Sequence, residues 1–269
     1  MCAGENCLNS LRIIPVDEPY EKKFLDLLEA DKILHVFTIY DFRYMRDKTR
    51  IWVALENENI AGYLLEFDNG IVHTHGSVES AAKLLDYTDL DEIVFVIEPQ
   101  HLGVIKRNFK TLGPTDSSSK GEITTYLIVK VDAETFKPSI THRVKKLGIK
   151  DLGEVLRSMG DEWKSRIENV IDRGVAFGGY GNGSLVAVAT VSEILDGLAL
   201  IRGVYAVPSY RRKGYATSAC SALVQELIDL GKEALLWVAR DNLPAISVYE
   251  KIGFEKTRHS LLGFRAKRL

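Results

Sequence analysis

Two spacings of apolar residues alternate along the chain. Phe24, Leu25, Leu27 and Leu28 recur at helical intervals and predict a short amphipathic helix over Glu21–Asp31. Two apolar runs, Arg50–Leu55 and Ile60–Phe67, flank the polar turn Glu56-Asn57-Glu58-Asn59 and predict a β-hairpin. The turn Asp68-Asn69-Gly70 leads to a strand at Ile71–Thr74. A helix follows over Ser77–Tyr87 with Ala81, Leu84 and Leu85 inward, then a buried-type strand at Glu92–Glu98. A helix over Gln100–Phe109, a polar loop Pro114–Gly121 and a strand over Tyr126–Val131 complete the first half.

The second half repeats this alternation. Strands are predicted at Thr141–Leu147, Val175–Phe177, Leu185–Ser192, Leu198–Val207, Ala234–Ala239 and His259–Ala266. Helices are predicted at Asp151–Met159, Asp161–Asp172, Tyr215–Leu230 and Leu243–Lys251. The pattern implies an α+β fold: a mixed, mainly antiparallel sheet with flanking helices. Val53-Ala54-Leu55 and Ile60–Leu65 around a polar turn echo Val175-Ala176-Phe177 and Leu185–Ala189 around another. A further hairpin turn follows each, which points to two tandem copies of one fold. The charged stretch Glu134–Ser139, with Pro138, sets the expected boundary, giving domains 1–135 and 136–269.

Composition narrows the function classes. The 269 residues suit two domains of ~100–200 residues each. Lys plus Arg total 35 and Asp plus Glu 37, a net charge of −2, so no global basic field exists for a nucleic-acid partner. No apolar run approaches the ~18 residues that span a bilayer, so no membrane partner is expected. The polar start Met1–Cys7 lacks a signal core. Cys2, Cys7 and Cys220 form neither a disulfide framework nor a zinc pattern, so a cytoplasmic setting and no metal are expected.

The stretch Gly203–Ala216 carries the chemistry. A strand runs into the basic loop Arg211-Arg212-Lys213-Gly214, which opens directly into a helix with Ala219, Leu223, Val224 and Leu227 on its buried side. A helix N-terminus presents unpaired amides and partial positive charge, and Gly214 lets a ligand approach the backbone. Together these make a diphosphate site; the alternative is a solvated turn with surface cations. Further on, a strand ends at Asp241-Asn242. The next helix places Ala245 and Tyr249 four residues apart, and Gly253 stops it. Asn242 reads as an N-cap or as a polar group that reaches a ligand amide; Tyr249 offers a phenolic proton.

Arg211, Gly214 and Ala216 match the pattern Gln/Arg-x-x-Gly-x-Gly/Ala. Asn242, Ala245, Tyr249, Gly253 and Phe254 match Asn-x-x-Ala-x-x-x-Tyr-x-x-x-Gly-Phe. In this order the two segments resemble the GNAT superfamily of acyl-CoA-dependent N-acyltransferases, closely over Val204–Phe254 and more loosely from Thr141 onward. The two-domain layout also looks similar to the glycine N-acyltransferase-like branch. The first half has only Gly76-Ser77-Val78-Glu79 where a cofactor loop would fall, so it looks like a degenerate copy.

The resemblance implies acetyl-CoA as co-substrate and an amine as acceptor, either a small molecule or a peptide. Its diphosphate would rest on Arg211, Arg212, Lys213, Gly214, Tyr215 and Ala216, with the Thr217 hydroxyl beside them. The pantetheine arm would run along Val204, Tyr205, Ala206 and Val207, reaching Asn242. A bulge in that strand would part it from its neighbour and free an amide for the oxyanion. Tyr249 would protonate the departing thiolate, and the amine would attack the thioester directly. A general base is useful because a free ammonium titrates near ~10. Leu198–Gly203 contains no carboxylate, a departure from the common pattern, so Glu193 is the candidate base, ahead of Asp196. Glu193 also reads as a solvated strand-end carboxylate, and Tyr205 as either acceptor lining or packing.

Two other readings stand beside the enzyme: a non-catalytic acyl-CoA-binding regulatory module, and a first half that docks a polypeptide substrate. Gly179-x-Gly181-x-Gly183 lies between hairpin strands and is no dinucleotide fingerprint. His73 and His75 with Asp68 lack the spacing of a metal site. Trp163 reads as buried rather than substrate-binding. The basic C-terminus, Arg258 to Arg268, reads as a solvated face.

Overall fold

The structure is a computed structural model that describes residues 11–68, 70–164, 167, 168, 170 and 175–269. The predicted features at Met1–Cys7 and Asn69, and part of the helix expected over Asp161–Asp172, lie outside the described residues. The chain divides into two compact units. One comprises the described residues up to Tyr126 together with Ser260–Leu269; the other is Leu127–His259.

The first unit begins with strand β1 (Arg12–Pro15) and helices α1 (Glu18–Glu29) and α2 (Lys32–Tyr44). Asp31 caps α2, its carboxylate accepting from the Leu34 amide at 3.3 Å. Strands β2 (Thr49–Glu56), β3 (Asn59–Phe67) and β4 (Ile71–Gly76) form an antiparallel meander with β1. The β2–β3 turn places Asn57 and Glu58 at φ 49° and 64°, the geometry that matches strand twist. Helix α3 (Val78–Leu84) crosses to β5 (Glu92–Ile97), parallel to β4. Helix α4 (Leu102–Asn108) and β6 (Phe109–Pro114) follow. The far end of the last strand, β13 (Glu255–Arg268), fills the place between β5 and β6 and pairs antiparallel with both. Phe95, Phe109 and Phe264 meet in this core, with ring centroids 5.0–5.5 Å apart.

The second unit takes in the strand β7 (Thr124–Val131) from Leu127, then β8 (Arg143–Lys146), α5 (Leu152–Met159), β9 (Ala176–Gly181), β10 (Ser184–Ile194) and β11 (Leu198–Ala206). Helix α6 (Tyr215–Asp229), β12 (Glu233–Ala239) and α7 (Leu243–Ile252) complete it, with the opening residues of β13. Its strand order is β13-β7-β12-β11-β10-β9-β8. Helix α6 buries Ala219, Leu223, Val224 and Leu227 in one core cluster with Ala199 and Leu236 of the sheet. The apolar stripe predicted for this helix is the one that is buried.

The boundary expected at Glu134–Ser139 falls instead at Tyr126/Leu127. The reason is burial: Val129 and Val131 belong to the second unit's core, so β7 rather than the charged stretch after it opens that unit. The C-terminal residues return to the first unit because Leu262–Lys267 pair with β5. The sequence pattern also misses β1, α2 and β6. The strands of the meander and the elements around α6 and α7 are where the spacing puts them.

Candidate functional site

Strands β11 and β12 run parallel and pair at Leu198↔Glu233, Ala199↔Ala234 and Leu200↔Leu235. The pairing ends there, although β11 continues to Ala206 and β12 to Ala239. The end of β11 and the residue after it, Val204–Val207, are half-buried. On its other side β11 is paired to β10, but out of step. Val188 pairs with Tyr205 and Thr190 with Arg202, so Gly203 and Val204 face Ala189 alone. This is a β-bulge, and Gly203 adopts φ 77° to make it. A Cβ at Gly203 would lie 2.7 Å from the Thr190 hydroxyl oxygen and 3.3 Å from the Trp163 ring, so glycine is required twice over.

The bulge has a second effect. Residues three apart on a regular strand point to opposite faces. Here Arg202 and Tyr205 share one face, that of Thr190 and Val188. A second bulge inserts Ser192 into β10, so that Glu193 pairs with Leu200 and turns to that same face. Glu193 is 8% exposed, its carboxylate 3.8 Å from the Arg202 guanidinium and accepting from the Ser192 hydroxyl. Trp163, from the turn Asp161–Trp163, packs its ring 5.2 Å from that of Tyr205. The solvated-carboxylate reading of Glu193 is thus replaced by a buried, ion-paired one. Arg202 was missed; a lone glycine in a strand was the available hint of a bulge.

Beyond β11, Pro208–Tyr210 form one turn of 3-10 helix and the chain enters the basic loop. Arg212 (φ 59°) and Gly214 (φ 88°) are both left-handed, which folds the loop into a concavity of amides. Gly214 is the N-cap of α6 and offers no side chain to its first turn. Tyr215, Ala216 and Thr217 carry the amides that a helix start leaves without intrahelical acceptors. Arg211, Arg212 and Lys213 are exposed around them, while Thr217 is buried. Arg211 donates from Nε to the Ala206 carbonyl at 3.2 Å and lies over the Tyr205 ring, linking the loop to the strand edge. Cationic side chains, helix dipole and amide nest act in one direction here, toward binding an anion.

Helix α7 begins at Asn242, whose side-chain oxygen accepts from the Ala245 amide at 3.3 Å. Of its two expected roles, the capping one is therefore realised. Gly253 ends the helix at φ 102°. Tyr249 packs edge-on against Phe254 and lines a cleft of about 280 Å³ with Leu127, Val129, Val238 and Ile246; Glu250, Glu255 and Lys256 stand on its exposed side.

The corresponding part of the first unit is closed. Strands β4 and β5 stay paired through Thr74↔Ile97, at the end of β5. His101 then bridges the ends: it hydrogen-bonds the Thr74 hydroxyl at 2.8 Å and the Gly76 carbonyl at 2.9 Å. Ser77 caps α3, occupying the Ser80 amide. His75 is bound to Glu98 at 2.6 Å and His73 stacks on Phe37. Among the described residues no group of three or more His, Cys, Asp or Glu is arranged to hold a metal, and no helix is long and apolar enough to cross a membrane.

Residues 150–254 match the model of the acetyltransferase (GNAT) family. No curated protein sequence matches the chain. Several solved structures share the fold over nearly its whole length. A Drosophila protein aligns at TM-score 0.68 and 11% identity, covering 96% of this chain and 98% of its own. A GCN5-related N-acetyltransferase from Sphaerobacter thermophilus aligns at 0.63 and 12%, covering 95% of each. A tandem GNAT protein from the clavulanic acid biosynthesis pathway aligns at 0.58 and 13%, covering 96% and 98%. At these identities the likeness is one of fold. Its extent over the whole chain matches two tandem copies in a mixed-sheet α+β architecture.

Proposed function

Residues 150–254 are a GNAT-family domain, and we propose that the second unit transfers an acetyl group from acetyl-CoA to a primary amine. The observation that carries this reading is the parting of β11 from β12 beyond Leu200 and Leu235, directly before an amide nest at the start of α6. An extended amide arm can hydrogen-bond along Val204–Val207 where β12 no longer does. The diphosphate at the other end of that arm then meets the amides and cations of Arg211–Thr217.

The chemistry follows from charge. Glu193 accepts a proton from the ammonium and leaves a neutral amine, which attacks the thioester carbonyl. Negative charge develops on that oxygen, and an amide of the bulged strand around Gly203–Val204 stabilises it. The C–S bond breaks as the tetrahedral centre collapses, the Tyr249 phenol passes its proton to the thiolate, and the proton that the attacking nitrogen sheds on becoming an amide restores the phenol. No enzyme acyl intermediate is formed. Binding residues in this reading are Val204, Tyr205, Ala206, Val207, Arg211, Arg212, Lys213, Gly214, Tyr215, Ala216, Thr217 and Asn242. The first unit is a degenerate copy that binds no acetyl-CoA, since its strands do not part.

A second reading is favoured by the Arg202–Glu193 ion pair. A base held by a guanidinium is a weaker proton acceptor, and the unit would then be a non-catalytic acyl-CoA-binding module. One experiment separates the two. Acetyl-CoA binding is measured by calorimetry, and CoA release by a thiol reagent across amino acids, polyamines, aminoglycosides and peptides. One bound acetyl-CoA per chain with amine-dependent release is the expected result. Binding without release on any amine selects the module, and no binding overturns both.

A further inference from the structure

We propose that His142 is a positioning residue for the diphosphate, turning the Lys213–Gly214 peptide so that its N–H faces the ligand. The inference rests on the acetyl-CoA reading given above. His142 precedes β8 and belongs to neither motif of the sequence. Its Nε2 lies 2.6 Å from the Lys213 carbonyl oxygen. A carbonyl only accepts, so Nε2 carries the proton.

The imidazole is held from three directions. Its ring stacks on Tyr215 at 4.0 Å, with 28° between the planes. Its backbone amide donates to the Ser218 hydroxyl at 3.2 Å, and that of Thr141 donates to the same oxygen at 3.0 Å. Ser139 is tied in the same way to Ser221, one turn further along α6. Residues 139–142 thus form a brace along the first turns of the helix, ending in the imidazole.

The consequence is geometric. In a trans peptide the C=O and N–H point in opposite directions, and no cis peptide occurs among the described residues. Fixing the Lys213 oxygen on His142 therefore directs the Gly214 N–H to the other side of the loop. The His142 side is already occupied, since a Cβ on Gly214 would stand 3.3 Å from Nε2 and 3.5 Å from the Thr141 hydroxyl. Arg212 and Gly214 both have positive φ, and the peptide between Lys213 and Gly214 is free to flip unless its oxygen is held. With the oxygen held, the nest is formed before the ligand arrives, and less ordering remains to oppose binding.

The test compares two thioesters in the full chain: acetyl-CoA, and acetyl-pantetheine, which lacks the diphosphate. His142→Ala is expected to raise KM for acetyl-CoA about three- to tenfold, the size of one hydrogen bond, with kcat unchanged. With acetyl-pantetheine the same variant is expected to match the parent. His142→Gln, whose side-chain amide can donate to the same carbonyl, is expected to recover most of the loss. Equal losses on both thioesters, or no loss on acetyl-CoA, would overturn the proposal and leave His142 as packing for Tyr215. A parent protein that itself binds no acetyl-CoA refutes instead the reading beneath it, and this inference with it.

Discussion

Leu200 and Leu235 form the last rung of the parallel ladder between β11 and β12, and the site opens beyond them. In the first unit the equivalent ladder runs on to Thr74 and Ile97. A groove needs strand ends that have lost their partner while the rest of the sheet keeps them in place. The second unit achieves this by bulging β11 against β10 at Gly203, so that the strand turns out of register before its end.

Gly203→Val tests the bulge. The substitution places a β-branched side chain at φ 77° and its Cβ against Thr190 and Trp163. A destabilisation on the order of 1–3 kcal/mol is expected, read as a lower urea midpoint, together with loss of turnover. An unchanged midpoint would show that the bulge is not a structural requirement.

Gly214→Asp tests the nest. It sets a carboxylate at the mouth of α6, at a left-handed position 3.3 Å from His142. Acetyl-CoA affinity is expected to fall beyond detection in calorimetry, because like charges meet at short range. Retained micromolar affinity would move the diphosphate elsewhere.

Tyr249→Phe separates catalysis from binding. Removing the phenolic proton is expected to lower kcat on the order of 10²-fold, with acetyl-CoA affinity within twofold of the parent. Equal rates would remove Tyr249 from the mechanism and assign it to packing on Phe254.

The first unit carries an acid-sensitive cluster. Burial acts to raise the Glu98 carboxyl, but the hydrogen bond and charge of His75 prevail and hold it at about 2. A group with a depressed folded pKa contributes stability above its unfolded value and loses it as pH falls. The Glu98 contribution, on the order of 1–2 kcal/mol for a pair partly screened by solvent, is thus lost between pH 4.5 and 2. Burial lowers the His101 imidazole, only partly offset by the Gly76 carbonyl and Glu98. The unfolded chain therefore takes up that proton first, and its contribution declines as pH drops below 6.5. Glu98→Gln is expected to flatten the acid limb of a stability–pH curve below 4.5. A limb identical to the parent's would assign acid unfolding to other groups.

Much of the architecture could be read from spacing. The stripe of α6, the turn at Asn57, the cap at Asn242 and the stop at Gly253 are local features, each set by residues within one or two turns. β1, α2 and β6 escaped notice because their burial comes from partners far along the chain; Arg12, for example, pairs with Leu55. The two units divide at Tyr126/Leu127 rather than at the charged stretch for the same reason. Pro138 and its charged neighbours look like a linker, yet Val129 and Val131 had already entered the second core.

By itself the sequence determined the order of elements, the basic glycine loop at the head of α6 and the spacing of Asn242 and Tyr249. These depend on propensity, capping and period, which act over a few residues. Only the tertiary structure decided where β11 leaves β12, that Glu193 turns inward to Arg202, and that His142 holds the Lys213 carbonyl. Each of these is a relation between segments that are distant in sequence or out of register across a ladder. A one-residue slip at Gly203 or Ser192 changes which side chains share a face, and no local pattern records such a slip.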